Sequence, residues 1–248
     1  MNEAILFGDL SGTAGDTKKL GGLSAQSVIS RIETLEAVDV ELYVDCNSTE
    51  DTENGTEGAP FKSVQKAVDS VPANAKRAII NVAEGTYAEN VEVRDTCRNF
   101  MIAGAGAGKT FISTIYAVNI PVFTMQGITF NGYNEALNSA VCISRSGSAH
   151  IESIELAPPE DYHSKSGMYC GIRIFNSTVF MLAATVNKFV YAIQAEQGAY
   201  VTCRSVKGST NRYAFSAQMA TIYASDYSSL SYTGSQTVKT GGYIGLVS

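Results

Sequence analysis

The sequence predicts an all-β protein in which short parallel strands coil around one core and successive coils stack as a parallel β-helix. Four segments repeat a small residue followed by an apolar–polar–apolar triplet, at 140–143, 171–174, 192–195 and 214–217. The last three begin 21 and 22 residues apart, which fits coils of three short strands. One such unit cannot bury its apolar face alone, whereas a stack of units can.

Two further rows of apolar residues follow with one member per coil. They are Ile151, Met181, Val201 and Ile222 on the second strand, and Leu156, Val186, Val206 and Tyr227 on the third. Alternation along a strand places these side chains inside and their neighbours outside. We therefore predict that Val201 is buried and contacts Met181 on one side and Ile222 on the other.

Three upstream stretches connect the chain with a known fold family. They read G-A-P-F-K-S-V-Q-K-A-V-D-S-V-P at 58–72, A-I-I-N-V-A-E-G-T-Y-A-E-N-V-E-V at 78–93 and F-M-I-A-G-A-G-A-G-K-T-F-I-S at 100–113. They resemble the opening coils of the pectin-lyase-like superfamily, the right-handed parallel β-helices. The resemblance implies a capping helix at 64–71, strands at 78–82 and 100–104, and a turn at 85–87 followed by Glu89. It indicates the fold more firmly than the function, because this fold carries lyases, hydrolases, esterases and inert adhesins.

Composition indicates a β-rich protein with few charges. Of 248 residues, 45% are apolar and 17% charged, and the net charge is −6, which gives no reason to expect nucleic acid or membrane insertion. The N-terminus lacks the basic start and apolar core of a signal peptide. Five cysteines without metal-type spacing indicate free thiols and folding in a cytoplasm. No metal and no cofactor is expected.

The first 40 residues suggest a separate module. The stretch 18–25 resembles a K-L-G-G-x-x-A element that is common in bacteriophage tail-fibre and baseplate-associated proteins. An apolar stripe at a/d spacing follows, formed by Ala25, Val28, Ile32 and Leu35. We predict a short coiled coil that joins three chains; the alternative is an amphipathic helix packed on the end of the β-helix. The predicted domains are 1–40 (attachment segment and coiled coil), 41–77 (linker and capping helix) and 78–248 (β-helix).

Two motif-like stretches lack the features that their sites require. The acidic run that starts at Asp45 has Glu50 and Thr56 where an EF-hand loop needs glycine and glutamate. Residues 103–110 fit the loose phosphate-loop pattern, but strand-forming residues follow where that loop needs a helix N-terminus. We predict a solvated linker for the first stretch and a glycine-rich corner for the second.

The outward rows offer no pair of acids at catalytic spacing. Pectin methylesterase-like enzymes resemble this chain through G-T-Y-A-E-N-V at 85–91, but their later paired aspartates, Q-D-T and active-site arginine have no counterpart here. Glu155 and Asp226 share one predicted row three coils apart, or about 14 Å at the spacing of stacked strands. Glycoside hydrolysis needs carboxyl groups within roughly 5–9 Å. We predict no such pair within the β-helix of one chain.

An insertion lengthens the coil between Val141 and Ile172 to 31 residues. Loops of this length on a solenoid often carry function. If the protein cleaves a glycan, the candidates are Glu160 or Asp161 as acid, His163 as base and Arg173 beside them. The alternative is a polar loop without chemistry.

Aromatic residues at outward positions suggest a contact surface. The predicted glycan-binding or interface residues are Tyr162, Phe180, Tyr200 and Tyr223. A solvent-facing sheet this apolar usually meets a partner. Three explanations remain open for the rows: a sister subunit, stacking on a sugar, or a register slip that makes these residues part of the core.

These features favour a structural or receptor-binding phage tail protein without enzymatic activity. We expect a homotrimeric β-helical fibre that joins tail or baseplate proteins through its N-terminus and contacts a host surface glycan. Its expected location is the virion, after synthesis in the host cytoplasm without a signal peptide. The alternative is a tailspike depolymerase that cleaves surface polysaccharide as a glycoside hydrolase or lyase.

Overall fold

A computed structural model describes residues 38–227, 229–233, 237–239 and 241–247. The predicted trimer seam (Ala25, Val28, Ile32 and Leu35) and the rest of the attachment segment to residue 37 lie outside the described residues. The elements in chain order are β1 (Val38–Val44), α1 (Val64–Asp69), β2 (Ala75–Val82), β3 (Gly85–Arg94), β4 (Asn99–Gly104), β5 (Thr110–Val118), β6 (Val122–Gln126), β7 (Thr129–Phe130), β8 (Ser139–Ser144), β9 (Ser148–Glu152), β10 (Glu155–Leu156), β11 (Cys170–Phe175), β12 (Thr178–Leu182), β13 (Thr185–Val186), β14 (Tyr191–Glu196), β15 (Tyr200–Arg204), β16 (Gly208–Asn211), β17 (Tyr213–Gln218), β18 (Thr221–Ser225), β19 (Leu230–Tyr232), β20 (Thr237–Lys239) and β21 (Tyr243–Val247).

The strands form the predicted parallel β-helix, with about 7 coils. One face is a nine-stranded sheet in the order β1-β2-β4-β6-β9-β12-β15-β18-β21. A ten-stranded sheet covers the other two faces, because the start of β5 pairs with the short β7 and its end pairs with β8. Strands β8, β11, β14, β17 and β20 form the longer of these two faces, on which the candidate site lies.

The repeated triplets stack as predicted. Val141, Ile172, Ile193 and Phe215 are partners on successive strands of the ten-stranded sheet, and all four are fully buried. They contribute to one continuous apolar core that extends through the stack. Burial of about 25 cal/mol per Å² of apolar surface makes this core the main source of stability.

The nine-stranded sheet follows the predicted alternation with one shifted register. Val201 is buried and pairs with Ile222, as predicted, but its other partner is Val179 rather than Met181. Because strand side chains alternate with a period of two, this two-residue shift keeps every side chain on its predicted face.

At two corners of most coils, the residue that follows the strand has left-handed backbone. Asp95, Asn119, Arg145, Asn176, Gln197 and Met219 follow the strands of the long ten-stranded face, with φ of 42–56°. Gly127, Ser153, Ala183, Ser205 and Asp226 follow strands of the nine-stranded sheet, with φ of 50–65°. A single residue of this kind turns the chain sharply. The third corner instead varies in length, with loops at 131–138, 157–169 and 187–190.

The first coil is closed by α1, close to its predicted range. Ser63 precedes the helix, and the carboxylate of Glu89 accepts hydrogen bonds from the backbone N–H groups of Val64 and Gln65 at 3.0 and 2.9 Å. The Ser63 hydroxyl also donates to Glu89, at 2.8 Å. The acid after the G-T-Y turn therefore satisfies the free N–H groups of the helix and ties it to β3.

The stretch 41–77, predicted as linker and capping helix, also completes β1, which joins the nine-stranded sheet beside β2. The β-helix therefore starts before residue 78. After the glycine-rich corner at 103–110 the chain continues as strand β5, so no helix N-terminus is present there to bind phosphate.

The five cysteines are free thiols; Cys46 is half-buried and the other four are buried. In the described ranges we find no helix that is long and apolar enough to cross a membrane. The same ranges contain no cluster of three histidine, cysteine or acidic side chains arranged to hold a metal ion.

Candidate functional site

Polar side chains are buried on the outer side of the long ten-stranded face. Cys142, Arg173, Gln194 and Ser216 are neighbours on β8, β11, β14 and β17, at positions that alternate with the core residues. Cys142 and Gln194 are nonetheless almost inaccessible to solvent. We call these four residues the covered row.

The loops of the third corner account for this burial. The carbonyl oxygen of Leu137, in loop 131–138, accepts a hydrogen bond from Arg173. Met168, in loop 157–169, accepts a hydrogen bond from the Tyr133 hydroxyl and lies 3.6 Å from the amide nitrogen of Gln194. The two loops therefore bind each other and extend over the sheet.

Arg173 forms the central ion pair of this face. Its Nε lies 2.8 Å from Oε1 of Glu196, and the side chains are only 13% and 11% exposed. Nη1 donates to Leu137 at 3.0 Å, and the guanidinium carbon lies 4.4 Å from the centre of the Phe175 ring. A charge pair held this far from water is well ordered and strongly coupled.

The neighbouring thiols are not nucleophiles. Burial raises the pKa of Cys142 to about 12, and it raises the pKa of Cys170 further. Cys170 donates a hydrogen bond to Oε1 of Gln194 at 2.7 Å. Both thiols therefore stay protonated near neutral pH, and a thiol must ionise to attack a substrate.

A cleft of about 330 Å³ opens beside the ion pair. Its walls are formed by Tyr116, Leu137, Cys142, Ser144, Arg145, Phe175, Asn176 and Gln197. Neither Arg173 nor Glu196 lines the cleft, but two of its walls, Leu137 and Phe175, are contacts of Arg173. Arg145 is exposed at the rim and adds a second positive charge. The cleft walls thus combine two aromatic rings, polar side chains and one cation, Arg145, which suits a ligand with polar or anionic groups.

The sequence-predicted loop residues pair among themselves. The Nδ1 atom of His163 contacts Oδ1 of Asp161, and this hydrogen bond lowers the pKa of the Asp161 carboxyl group. Lys165 binds Glu160 at 2.5 Å. The recorded side-chain partners of Arg173 are Glu196, Leu137 and Phe175, so the structure does not place it beside the loop acids as predicted.

Tyr162 is an anchor for the loop rather than a glycan contact. It is only 8% exposed, and its ring packs against Tyr133, Tyr169 and Phe189 at centroid distances of 4.5–5.9 Å. The Lys165 ammonium lies 4.4 Å from its ring centre. Because these contacts cover the ring, Tyr162 offers little free surface for the predicted glycan or interface contact.

The other three predicted aromatic residues are exposed. This excludes the third explanation, in which a register slip would have placed them in the core. Phe180, Tyr200 and Tyr223 are 43%, 42% and 39% exposed on the outer side of the nine-stranded sheet. They lie on a different sheet from the Arg173–Glu196 pair.

Glu196 is the site residue that the sequence analysis missed. It lies two residues beyond Gln194, at the next outward position of β14, and pairs across the strands with Phe175. Following the outward position one step further along the repeated triplet would have placed it one coil from Arg173.

Comparison with known proteins adds evidence about the class. Residues 52–164 match the family described as Pectinesterase. The chain is similar to "Probable pectinesterase/pectinesterase inhibitor 17" of Arabidopsis thaliana, at 34% identity over 103 residues, which is 36% of this chain and 19% of that protein. It is also similar to "Pectinesterase/pectinesterase inhibitor 3" of the same plant, at 43% identity over 54 residues, covering 21% of this chain and 9% of that protein. The chain thus spans less than a fifth of the length of these curated relatives.

Solved structures show the same fold. A pectin methylesterase in complex with hexasaccharide VII aligns with a TM-score of 0.53 at 13% identity, over 79% of this chain and 65% of that one. Pectin methylesterase PemA from Erwinia chrysanthemi aligns with a TM-score of 0.50 at 14% identity, over 77% and 65%. At this identity the likeness establishes the parallel β-helix and not the activity.

The prediction of a phage tail protein is wrong, both as a fibre and as a tailspike depolymerase. The family match and the curated relatives point to pectin modification, and none of these findings shows a phage element. The predicted virion location is contradicted for the same reason. The expectation of no enzymatic activity is not supported either, because the matching family model and the curated relatives are pectinesterases.

Proposed function

We propose that this protein is a carbohydrate esterase that removes ester groups from a pectin-like polysaccharide. The observation that carries the proposal is the Pectinesterase match over 52–164, a range that ends within loop 157–169. The fold shared with pectin methylesterases is compatible with it. The cleft beside Arg173 and Glu196 is the site that we assign to the reaction.

The ion pair has the groups that ester hydrolysis requires. Glu196 accepts a proton from a water molecule, whose oxygen attacks the ester carbon. Negative charge then develops on the carbonyl oxygen. Arg173 binds Glu196 through Nε and Leu137 through Nη1, so Nη2, which has no recorded partner in the described part of the chain, can stabilise that oxygen. Collapse of the intermediate breaks the bond to the alcohol, which takes up the proton from Glu196.

The charges around the cleft fit a uronic-acid chain. The ester group itself is neutral, but each cleavage leaves a carboxylate on the polymer. Arg145 at the rim can bind carboxylates on sugars next to the reacting one. With Arg173 at the reacting group and Arg145 at a neighbouring sugar, such a chain would be held in register with Glu196.

The test is the release of methanol from highly methyl-esterified homogalacturonan, with release of acetate from an acetylated polysaccharide as a second arm. We expect the wild-type protein to release either methanol or acetate. Glu196→Gln should lower the rate by about 100-fold or more, since it removes the base but keeps the shape. Glu84→Gln, at an exposed position before β3, is the matched control and should leave the rate unchanged.

Two results would contradict this assignment. If the wild-type protein releases neither product, the esterase proposal is wrong. If Asp161→Asn abolishes release while Glu196→Gln does not, the reaction takes place at the Asp161–His163 pair of the loop and not in the cleft.

A further inference from the structure

A line of exposed rings crosses the nine-stranded sheet. His150, Phe180, Tyr200, Tyr223 and Tyr243 lie on the successive strands β9, β12, β15, β18 and β21. Neighbouring centroids are 5.3 Å apart for His150–Phe180, 5.7 Å for Tyr200–Tyr223 and 5.6 Å for Tyr223–Tyr243. We call these five residues the aromatic ladder. The contacts form two groups, His150–Phe180 and Tyr200–Tyr223–Tyr243, on successive strands, and this much exposed aromatic surface is unusual on a protein face that contacts only water.

The rings at one end of the ladder lie close to the sheet. A Cβ atom placed on Gly245 would come within 2.8 and 2.9 Å of the Tyr223 ring and within 3.0 Å of the Tyr243 ring. Both rings therefore extend over the bare backbone of β21, where any larger residue would displace them. Tyr223 and Tyr243 remain 39% and 54% exposed, so the opposite sides of the rings face solvent.

The positions between the rings are polar but uncharged. The two rows that contain the ladder also hold Ser148, Thr178, Thr202, Thr221 and Gly245. The flanking row has one acid and one base, Glu152 and Arg204, whose charges cancel. Aromatic faces flanked by hydroxyl groups match the chemistry of a sugar chain, which presents C–H groups on its ring faces and hydroxyls at its edges.

Charge narrows the choice of sugar chain. On β9, β12, β15, β18 and β21 the two ladder rows contain no lysine, arginine or carboxylate, and the whole chain has a net charge of −6. The one base of the flanking row, Arg204, is matched by the acid Glu152, so a polyanion would meet net repulsion here. We propose that the aromatic ladder binds an uncharged stretch of polysaccharide, stacked along the coil axis.

This binding surface is separate from the cleft, which lies on the other sheet. The inference that the bound chain is the esterified form of the substrate rests on the proposed function. The preference of the ladder for an uncharged chain does not. A chain held on the ladder would be released as its esters are removed, because the new carboxylates would meet Arg204 as the one cation of the flanking row, and Glu152 offsets it. The ladder would thus keep the protein on the esterified regions of the polymer.

The test measures binding by isothermal titration calorimetry with three probes: methyl-esterified homogalacturonan, de-esterified polygalacturonate and a neutral glucan. We expect the wild-type protein to bind the esterified chain at least tenfold more tightly than the de-esterified one. Tyr200→Ala and Tyr223→Ala should each raise the dissociation constant about tenfold, and the double variant should raise it further. Tyr232→Ala is the matched control, because Tyr232 is also 39% exposed but lies on β19, outside the ladder.

A second variant tests whether binding depends on the position of the rings as well as on their presence. Gly245→Ala keeps all five rings but displaces those of Tyr223 and Tyr243, and we expect it to weaken binding as well. Unchanged binding by Tyr200→Ala/Tyr223→Ala would overturn the proposal. Tighter binding of polygalacturonate than of the esterified chain would also overturn it. So would a double variant that has a lower molar mass in light scattering but unchanged polysaccharide binding, since the ladder would then be an interface between copies of this chain.

The two proposals fail separately. Binding of the esterified chain without release of methanol or acetate would contradict the esterase and leave the ladder supported. Release of product by a wild-type protein whose binding is insensitive to the ladder variants would do the reverse.

Discussion

The Arg173–Glu196 pair allows a quantitative test of the covered outer face. Replacing either partner by methionine leaves the other as an unpaired charge, at 13% or 11% exposure. Loss of one partner from a buried pair costs about 3–5 kcal/mol, and the remaining contacts of Arg173 with Leu137 and Phe175 favour the lower end. We expect about 3 kcal/mol for each single variant.

The double variant should be no less stable than either single one. With both charges removed, two apolar side chains fill the same space and no unpaired charge remains. If the double variant also loses about 3 kcal/mol, the coupling energy of the pair is about 3 kcal/mol. The exposed Lys165–Glu160 pair, at 38% and 60% exposure, is the control and should show a coupling below about 0.5 kcal/mol.

Urea unfolding followed by tyrosine fluorescence and circular dichroism measures these free energies, since the chain has 13 tyrosines and no tryptophan. Coincident transitions from the two signals are required for the comparison. A coupling below about 1 kcal/mol would refute the reasoning, because the pair would then behave as a surface ion pair.

Three further predictions concern the stack. Val201→Asp should destabilise the protein by several kcal/mol, about 3 or more, because it buries an unpaired charge between two coils; Val201→Ala should cost less, and unfolding midpoints compare them. Glu89→Ala should cost about 1–2 kcal/mol through loss of the α1 cap, measured in the same way, and a loss below 0.5 kcal/mol would contradict the capping role. Burial raises the pKa of Cys142 and Cys203 to about 12, so at pH 8 a thiol reagent should modify Cys46 first and reach these two only after unfolding, as peptide mapping would show.

The alternation of apolar and polar residues along each strand was sufficient to predict which side chains face the core and which face outward. Val201 is buried and Tyr223 is exposed as predicted, even though the register between β12 and β15 is shifted by two residues. The corner before β12 has two residues (176–177) and the corner before β15 has three (197–199), and alternation along the strands does not show this difference. A shift of one residue would have been detectable, because it would have reversed the faces.

The sequence did not show which outward-facing side chains would be covered by loops. Glu196 and Gln194 occupy outward positions, yet both are buried: Gln194 contacts Met168 of loop 157–169, and Glu196 pairs with Arg173, which binds Leu137 of loop 131–138. Tyr162 was misassigned for the same reason, because nothing local shows that its ring packs on Phe189. Contacts between loops and distant coils depend on the path of each loop, which alternation does not describe.

The predicted functional class depended on which of two sequence resemblances was given more weight. The G-T-Y-A-E-N-V stretch at 85–91 was visible in the sequence, and it lies inside the range that matches Pectinesterase. The short element at 18–25 outweighed it in the prediction and lies outside that range. A motif that is supported by 113 matched residues is better evidence of class than a motif of eight.

The unequal corners of the coil separate the parts of this protein that can diverge from those that cannot. Two corners have only two or three residues between strands in most coils, so a long insertion there would separate stacked strands and break the ladder of hydrogen bonds. The third corner already accepts loops as different as 187–190 and 157–169. Lengthening a loop there would rebuild the roof of the cleft and leave the stack intact. New substrate preferences would therefore arise by exchange of loops at this single edge, which is also where an engineer could graft them.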